Sequence, residues 1–284
     1  MRLSCYLFCA LLLFACGQNE TPPPTEQGKT RVRLALNWFP EAEHGGFYAA
    51  HIHGYYAKRN LEVEILGGGP DAPVIQRVST GAVEFGVTNA DDVLYARAQQ
   101  APVVALMAPY QINPRCIMVH ESSGIERIDQ ISNITLAMSQ RPAFSHYLRW
   151  KYPLEGVNIV PYPGNVSQFL ANPNFAQQGY VFSEPFVARQ QGGDPRALLV
   201  SDIGFNPYAS VIIATEETIA QRADIVRAVV EASVEGWEHI KRIGNPGLHS
   251  DLRPNMRGRT GIDAVDHTDS FPQSPICPMS LKQF

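Results

Sequence analysis

The chain has 284 residues, of which 45% are hydrophobic and 18% charged, a composition typical of a globular protein. Its net charge of −4 argues against general nucleic-acid binding, which requires a basic surface. Three of the five cysteines lie within residues 1–16, leaving Cys116 and Cys277, so neither a disulfide framework nor a cysteine-based metal site is indicated.

The first residues predict an export signal. Arg2 precedes an apolar run over 3–14, which is shorter than the roughly 20 residues that a membrane-spanning helix needs. We therefore interpret residues 1–15 as a cleavable signal peptide. Leu13-Phe14-Ala15-Cys16 matches a lipobox, which predicts lipidation of Cys16; the alternative is an ordinary secretory signal in which the cysteine is incidental. Residues 16–30 predict a flexible tether to the periplasmic side of a bacterial membrane, or to the cell surface if the cell has one membrane.

Strands alternate with helices through the first part of the body. Apolar alternation marks the strands, and stretches of about ten residues between them have helical character. This order predicts βαβ units and a mainly parallel sheet. The predicted elements are strands at 32–38, 61–66, 83–88 and 103–108, and helices at 43–58, 72–80 and 90–100.

The same rhythm continues in the second part. We predict two α/β lobes, each a mainly parallel sheet flanked by helices, joined by a hinge at 120–125 and 203–209. Residues 31–122 and 208–243 then form lobe 1, residues 123–207 form lobe 2, and 244–284, which shows no period, is predicted to be a disordered tail. The further strands are predicted at 116–119, 134–138, 157–161, 179–182, 197–201 and 208–215. A helical stretch at 217–242 has an apolar face made by Ile219, Val226, Val230, Val234 and Trp237.

Four loops are candidates for a binding site, because parallel α/β sheets bind ligands beyond the carboxyl ends of their strands. These are residues 37–44, 67–71, 88–92 and 183–186. Each allows a structural alternative. Trp38 continues the alternation of the first strand and is equally consistent with a core position. The glycine-rich 67–71 segment lacks the spacing of a P-loop and is consistent with a tight turn.

Acidic side chains in these loops also allow two interpretations. Asp91 and Asp92 are well placed to cap a helix. Glu184 lies in an apolar, aromatic setting and needs a partner if it is buried, which an internal arginine or a ligand N–H group would supply.

The spacing of the histidines and of the possible nucleophiles matches neither a metal site nor a known catalytic motif. His51 and His53 point to different sides of a helix, and no acidic ligand is evident between His44 and His51. No Gly-x-Ser-x-Gly elbow occurs. We therefore expect neither a metal site nor catalytic residues.

The first lobe resembles the solute-binding proteins of ABC importers for nitrate, alkanesulfonates, taurine and thiamine pyrimidine precursors, and most strongly the thiamine-pyrimidine branch. The likeness extends over about residues 32–240 and is weaker between 125 and 178. It is carried by Leu36-Asn37-Trp38-Phe39-Pro40, His44 with Gly46-Phe47-Tyr48-Ala50, Gly54-Tyr55-Tyr56, Gly67-Gly68-Gly69-Pro70-Asp71, Gly81-x-x-Glu84-Phe85-Gly86 and Ala96-Arg97-Ala98.

This resemblance implies a two-lobed, periplasmic-binding-protein-like fold of type II that closes over its ligand like a clamp. Trp38 and Tyr48 would stack on a flat heteroaromatic ring, and Glu184 would accept hydrogen bonds from its N–H groups. The implied ligand-binding residues are Asn37, Trp38, His44, Tyr48, Gly69, Asp71, Asn89 and Glu184.

The resemblance also defines the function that we expect and its alternatives. We expect a monomeric, non-enzymatic binding protein without a cofactor, whose partners are a small solute and the permease and ATPase of an importer. An anion receptor or a riboflavin receptor of the same fold is an alternative, as is a sensory lipoprotein. A pyridoxal-phosphate-dependent pyrimidine synthase is a less favoured alternative, because the related enzyme uses a lysine and a cysteine-rich segment. Here Lys58 is the only lysine between residues 31 and 150, and no cysteine cluster is present.

Overall fold

The computed structural model describes residues 28–244 and the backbone of Cys277–Pro278. The predicted signal peptide, Cys16 and most of the predicted tether and tail lie outside the described residues. The strands are β1 (Thr30–Ala35), β2 (Leu61–Leu66), β3 (Phe85–Thr88), β4 (Val103–Ala108), β5 (Arg115–His120), β6 (Thr135–Ala137), β7 (Asn158–Val160), β8 (Phe175–Tyr180), β9 (Pro195–Leu199), β10 (Val211–Thr215) and β11 (Cys277–Pro278). The helices are α1 (Gly45–Ile52), α2 (Val74–Ser79), α3 (Ala90–Ala98), α4 (Ala143–Lys151), α5 (Ser167–Ala171), α6 (Glu184–Gln190), α7 (Glu216–Gln221) and α8 (Ala223–Gly244).

Two mixed sheets form the centres of the two lobes. The first sheet has the strand order β11-β4-β10-β3-β1-β2 and the second has the order β7-β6-β8-β5-β9. In the first, β1 runs parallel to β2 and β3, whereas β10 is antiparallel to β3 and β4. In the second, β6 is parallel to β7 and β8, and β5 is antiparallel to β8 and β9. The predicted two-lobed α/β fold is thus confirmed, but the prediction that each sheet is mainly parallel is wrong, because the strands next to each crossover pair in the antiparallel direction.

The first crossover between the lobes differs from the prediction. Strand β5 belongs to the second sheet, so the chain leaves lobe 1 at 109–114, and not at 120–125. Residues 115–122, which we had assigned to lobe 1, therefore lie in lobe 2. The sequence could not show this, because a strand whose side chains are buried on both faces looks the same in either sheet.

The two crossovers lie side by side. Tyr110 and Ala209 form an isolated antiparallel bridge between them. The Asn113 side chain donates to the Pro207 carbonyl at 2.8 Å, and its backbone N–H donates to Oδ1 of Asn206 at 2.7 Å. The return crossover at 200–210 contains the segment 203–209, and the action of this segment as a hinge stays a prediction.

Strands β1 and β8 illustrate how the observed bounds differ from the predicted ones. The first ends at Ala35, so Trp38 lies beyond the strand and outside the core clusters of lobe 1. Strand β8 begins at Phe175, although 179–182 was predicted. Gln177 and Gln178 are buried within it, and two adjacent polar residues break the apolar pattern by which a buried strand is recognised.

Helix α8 packs against α1 and covers one face of the first sheet. The helix predicted at 217–242 is divided into α7 and α8. Its predicted apolar face is confirmed, since Ile219 of α7 and Val226, Val230, Val234 and Trp237 of α8 all belong to the same core cluster or pack against it. Helices α1 and α8 approach closely at a pair of glycines. A Cβ on Gly46 would lie 2.2 Å from the Trp237 ring, and a Cβ on Gly236 would lie 2.0 Å from the Gly46 carbonyl oxygen. Only glycine allows this separation of the backbones.

Candidate functional site: a cleft between the lobes

A cleft of about 1070 Å³ lies between the two lobes and is lined by both. Lobe 1 contributes the loop after β1, the start of α2 and the loop from β3 into α3. Lobe 2 contributes the loops after β6 and β7, the end of β8 and the start of α6. These are largely the carboxyl ends of the strands, where parallel α/β sheets bind their ligands.

The loop that carries Trp38 is held in place by the glycine-rich segment. The Gly68 N–H donates to the Trp38 carbonyl at 2.9 Å, and a Cβ on Gly68 would lie 2.2 Å from the Leu36 carbonyl oxygen. Gly68 therefore permits a close approach of two backbones, which fixes the direction of the Trp38 loop. Gly69 packs near Phe39 and does not line the cleft.

Two aromatic rings face each other across the cleft. Trp38 of lobe 1 and Tyr162 of lobe 2 are stacked with their ring centroids 6.2 Å apart and 26° between the ring planes. The edge of Phe39 supports Trp38 at 5.5 Å. Since both rings are half-buried and line the cleft, they form an aromatic pair with one member on each lobe.

Glu41 connects the lobes beside this pair. Its Oε1 accepts from the Trp38 indole Nε1 at 3.2 Å, and its Oε2 accepts from the Ser183 hydroxyl of lobe 2 at 2.7 Å. Burial is the main cause that raises the pKa of Glu41 above its ordinary value, and the hydrogen bond from Ser183 opposes this shift. One carboxyl group thus orients the indole and contacts the opposite lobe.

Glu184 occupies the floor of the cleft on the lobe 2 side. Its Oε1 accepts from the Tyr162 hydroxyl at 2.5 Å, and its Oε2 accepts from the Tyr180 backbone N–H at 2.7 Å. A side chain at Gly179 would collide with this carboxylate, because a Cβ there would lie 2.7 Å from Oε2. Burial and the negative charge of Glu184 raise the pKa of Tyr162, so the phenol remains protonated and keeps donating.

Asn89 and Tyr180 form a second contact between the lobes. The Tyr180 hydroxyl donates to Oδ1 of Asn89 at 3.3 Å, and the Ser210 backbone N–H donates to the same oxygen at 3.4 Å. Arg115 lies behind them, with its guanidinium 5.1 Å from the Tyr180 ring and 4.3 Å from the Phe144 ring.

Carboxyl groups dominate the charge of the cleft. Two arginines line it, Arg115 and Arg141, whereas six acidic residues do: Glu41, Glu43, Asp71, Asp91, Asp92 and Glu184. Burial, followed by the charge of Asp92, raises the pKa of Asp91 to about 6. Asp92 acts in the capping box of α3, as its position suggested, and accepts from the Thr88 hydroxyl at 3.0 Å.

His44 and Glu43 form a buried pair under the Trp38 loop. Nε2 of His44 donates to Oδ1 of Asn37 at 3.1 Å and lies 3.1 Å from Oε1 of Glu43. Burial lowers the pKa of His44 to about 4 and raises the pKa of Glu43 to about 8, where the charge of Glu41 adds to the effect. Both groups are therefore neutral at pH 7, and their contact is not an ion pair.

The structure brings together most of the residues that the sequence suggested. Asn37, Trp38, Asp71, Asn89 and Glu184 line the cleft, whereas His44, Tyr48 and Gly69 do not. Tyr48 packs against the core of lobe 1, so the aromatic partner of Trp38 is Tyr162. His44 is fully buried and supports Asn37 from behind. The sequence analysis missed Glu41, Glu43, Arg115, Tyr162 and Tyr180.

The part of the chain that the structure describes contains neither a candidate metal site nor a candidate membrane-spanning helix. Among residues 28–244, no three His, Cys, Asp or Glu side chains are grouped so that they could hold a metal ion. Across that range, no helix combines the length and apolarity that crossing a bilayer requires. Lys58, the candidate for a pyridoxal-binding lysine, has its ammonium 5.0 Å from the Tyr55 ring and does not line the cleft.

Relatives of known name share most of this chain. It is 28% identical over 257 residues to the riboflavin-binding protein RibY of Chloroflexus aurantiacus, which covers 84% of the chain and 70% of the relative. It is 23% identical over 240 residues to the formylaminopyrimidine-binding protein of Halalkalibacterium halodurans, covering 82% of the chain and 72% of the relative.

A solved structure shows the same fold, and a family model matches the body of the chain. The periplasmic aliphatic sulphonate-binding protein SsuA of Escherichia coli superposes with a TM-score of 0.59 at 14% identity, over 75% of this chain and 72% of that one. The model described as NMT1/THI5 like matches residues 41–243. The chain therefore belongs to the NMT1/THI5-like family, and its fold is that of the periplasmic solute-binding proteins.

Proposed function

We propose that this protein, as a solute-binding protein of the ABC import type, takes a small, flat, nitrogen-containing ring such as a thiamine pyrimidine precursor. The observation that carries the proposal is the Trp38–Tyr162 pair, which places one aromatic face on each lobe. A ring inserted between them needs about 7 Å between the two planes, twice the carbon–carbon contact distance of about 3.5 Å. The ring centroids lie 6.2 Å apart, which is less than this spacing, so the lobes must open for a ring to enter between them.

Hydrogen-bond acceptors surround this aromatic pair. Glu41 and Glu184 each have lone pairs beyond those that the protein uses, because an ionised carboxylate accepts about four hydrogen bonds. A ring with exocyclic amino or ring N–H groups would donate to them. This arrangement supports a nitrogen-rich solute, and the formylaminopyrimidine-binding relative supports the same class.

An anionic solute fits the cleft less well. Six acidic residues and two arginines line it, and the Arg115 guanidinium is enclosed between two aromatic rings. A sulfonate or nitrate would meet net repulsion. Riboflavin is the second candidate, since a cleft of about 1070 Å³ is slightly larger than the usual range for small-molecule sites and a riboflavin-binding relative covers most of the chain.

Isothermal titration calorimetry tests the solute class. The panel is 4-amino-5-hydroxymethyl-2-methylpyrimidine, riboflavin, taurine and nitrate, titrated into protein that has been refolded to remove retained solute. We expect saturable binding of the pyrimidine. Binding of riboflavin alone would select the second candidate, and binding of taurine or nitrate alone would contradict both.

We further propose that Cys16 carries a lipid that holds the protein at the membrane, where a permease and an ATPase accept its solute. A Cys16→Ser variant is expected to lose incorporation of labelled palmitate, because the thioether-linked lipid can no longer form. Metabolic labelling followed by immunoprecipitation measures this, and Ser4 in the signal provides a matched control as Ser4→Ala, which should be labelled like the unmutated protein. Equal labelling of the Cys16→Ser variant would contradict the anchor.

A further inference from the structure

Glu43 is a buried carboxyl group whose Oε1 has no hydrogen-bond partner among the described residues. Only 5% of its surface is exposed, yet it lines the cleft. Its Oε1 has no hydrogen-bond donor within the described part of the chain, since the nearby Nε2–H of His44 is directed at Oδ1 of Asn37. Burying a polar group without a partner is unfavourable, and such groups commonly mark the position of a ligand or ion.

The described neighbours of Glu43 add negative charge, and none of them donates a hydrogen bond to its Oε1. Glu41 and Glu184 both interact with it electrostatically, and Arg115 is the one cation that opposes them among its described neighbours. Arg115 makes its hydrogen bond to the Tyr180 hydroxyl at 3.4 Å and has none to Glu43 in residues 28–244. The end of the cleft at Glu43 is therefore an acceptor site that a positively charged donor would complete.

We infer that Glu43 receives a positively charged nitrogen of the ligand, such as an ammonium group on a short arm of the ring that stacks between Trp38 and Tyr162. This inference rests on the proposed function, because it takes the stacked ring as given and adds the charge of the substituent. An ammonium group donates three hydrogen bonds and would pair with the unpartnered Oε1.

Protonation of Glu43 gives this sub-site a dependence on pH. Burial first, and then the charge of Glu41, raises the pKa of Glu43 to about 8. The carboxyl group is thus protonated in the empty cleft at pH 7, and a bound cation favours its ionised form. Binding then releases a proton, and the affinity for the cation rises as the pH increases from 6 to 8.

The other titratable groups around Glu43 do not reproduce this behaviour. His44 titrates near pH 4, below the window, and the pKa values of Tyr110 and Tyr180 are raised above 10. Asp91 titrates near pH 6, at the lower edge of the range from pH 6 to 8. Glu41, whose pKa is also raised, is the other group that contributes to the pH dependence of binding. Comparing the unmutated protein with a variant that lacks the Glu43 carboxylate therefore identifies the proton that Glu43 releases.

Calorimetry with two matched pyrimidines tests the inference. The probes are 4-amino-5-aminomethyl-2-methylpyrimidine, whose arm carries an ammonium group, and the neutral hydroxymethyl analogue. At pH 7 we expect the aminomethyl probe to bind about tenfold more tightly, a ratio that corresponds to about 1.4 kcal/mol. Titrations in phosphate and in Tris, which differ in ionisation enthalpy, are expected to show net proton release.

Glu43→Gln is the diagnostic variant. It is expected to bring the affinities for the two probes close to each other and to abolish most of the proton release. Glu155→Gln is the matched control, because Glu155 is exposed, does not line the cleft and loses the same charge. Thermal unfolding checks that both variants fold. If Glu43→Gln does not fold, the number of protons that the unmutated protein releases on binding the aminomethyl probe tests the role of Glu43.

The outcomes separate the sub-site from the proposed function. Equal binding of both probes, or aminomethyl binding without proton release, would overturn the role of Glu43 and leave the proposed function in place. An unchanged preference in a folded Glu43→Gln variant would do the same. Absence of binding by either probe would overturn the inference together with the pyrimidine function on which it rests.

Discussion

Replacing Trp38 with alanine is expected to weaken binding of the hydroxymethyl pyrimidine by about 30- to 150-fold. The change removes one of the two aromatic faces of the cleft, and losing its buried contact and stacking amounts to about 2–3 kcal/mol. It also removes the indole N–H that orients Glu41. Calorimetric titration of the variant measures the loss.

Two control variants separate stacking from general damage. Trp38→Phe retains an aromatic face and is expected to lose only a small part of the affinity. Trp150→Ala removes a tryptophan that is 79% exposed on α4 and does not line the cleft, so its affinity should be unchanged. An affinity of Trp38→Ala within threefold of the unmutated protein would show that the Trp38–Tyr162 pair is not the ring site.

Replacing Gly236 with alanine is expected to lower the free energy of unfolding by about 3 kcal/mol. A Cβ at this position would lie 2.0 Å from the Gly46 carbonyl oxygen and 2.8 Å from the Cβ of Ala50, so α8 must move away from α1. Overpacking of this kind costs about 1–3 kcal/mol or more. Alanine is favoured over glycine in a helix by about 1 kcal/mol, but a collision with rigid backbone outweighs this gain.

Gly45 provides the matched control for this variant. It lies beside Gly46 with helical dihedral angles, φ −51° and ψ −41°, and a Cβ there would meet Ile240 at an ordinary 3.9 Å. Gly45→Ala is therefore expected to stabilise the protein by about 0.4–1 kcal/mol, through a smaller entropy of the unfolded chain. Urea unfolding measures both variants. Equal effects of the two substitutions would show that the α1–α8 contact is not as close as described.

The fold could be predicted where side-chain periodicity determines it. Strands β2 and β4 were predicted with the bounds that the structure shows, because each is a short run of β-forming residues next to turn signals. Strand β8 was misplaced because Gln177 and Gln178 are buried in it. The sheet to which β5 belongs depends on pairing partners far away in the chain, and local patterns contain no information about them.

The site could be predicted only in part for a similar reason. The rule about strand ends indicated Trp38, Asn89 and Glu184, which follow recognisable strands. Tyr162 follows the three-residue strand β7, and its role depends on closure of lobe 2 against Trp38. Glu43 gave no signal, because its importance comes from burial and from a missing partner, and both are properties of the folded chain.

The paired crossovers also constrain how the protein can move. The two segments lie side by side and are joined by the Tyr110–Ala209 bridge and the hydrogen bonds of Asn113. We expect them to define one hinge axis. Bending about the line between the lobes is allowed, whereas twisting would break these bonds. We expect the contacts of Tyr162, Ser183 and Tyr180 with Trp38, Glu41 and Asn89 to break together when the lobes separate. Opening of the cleft is therefore expected to be cooperative.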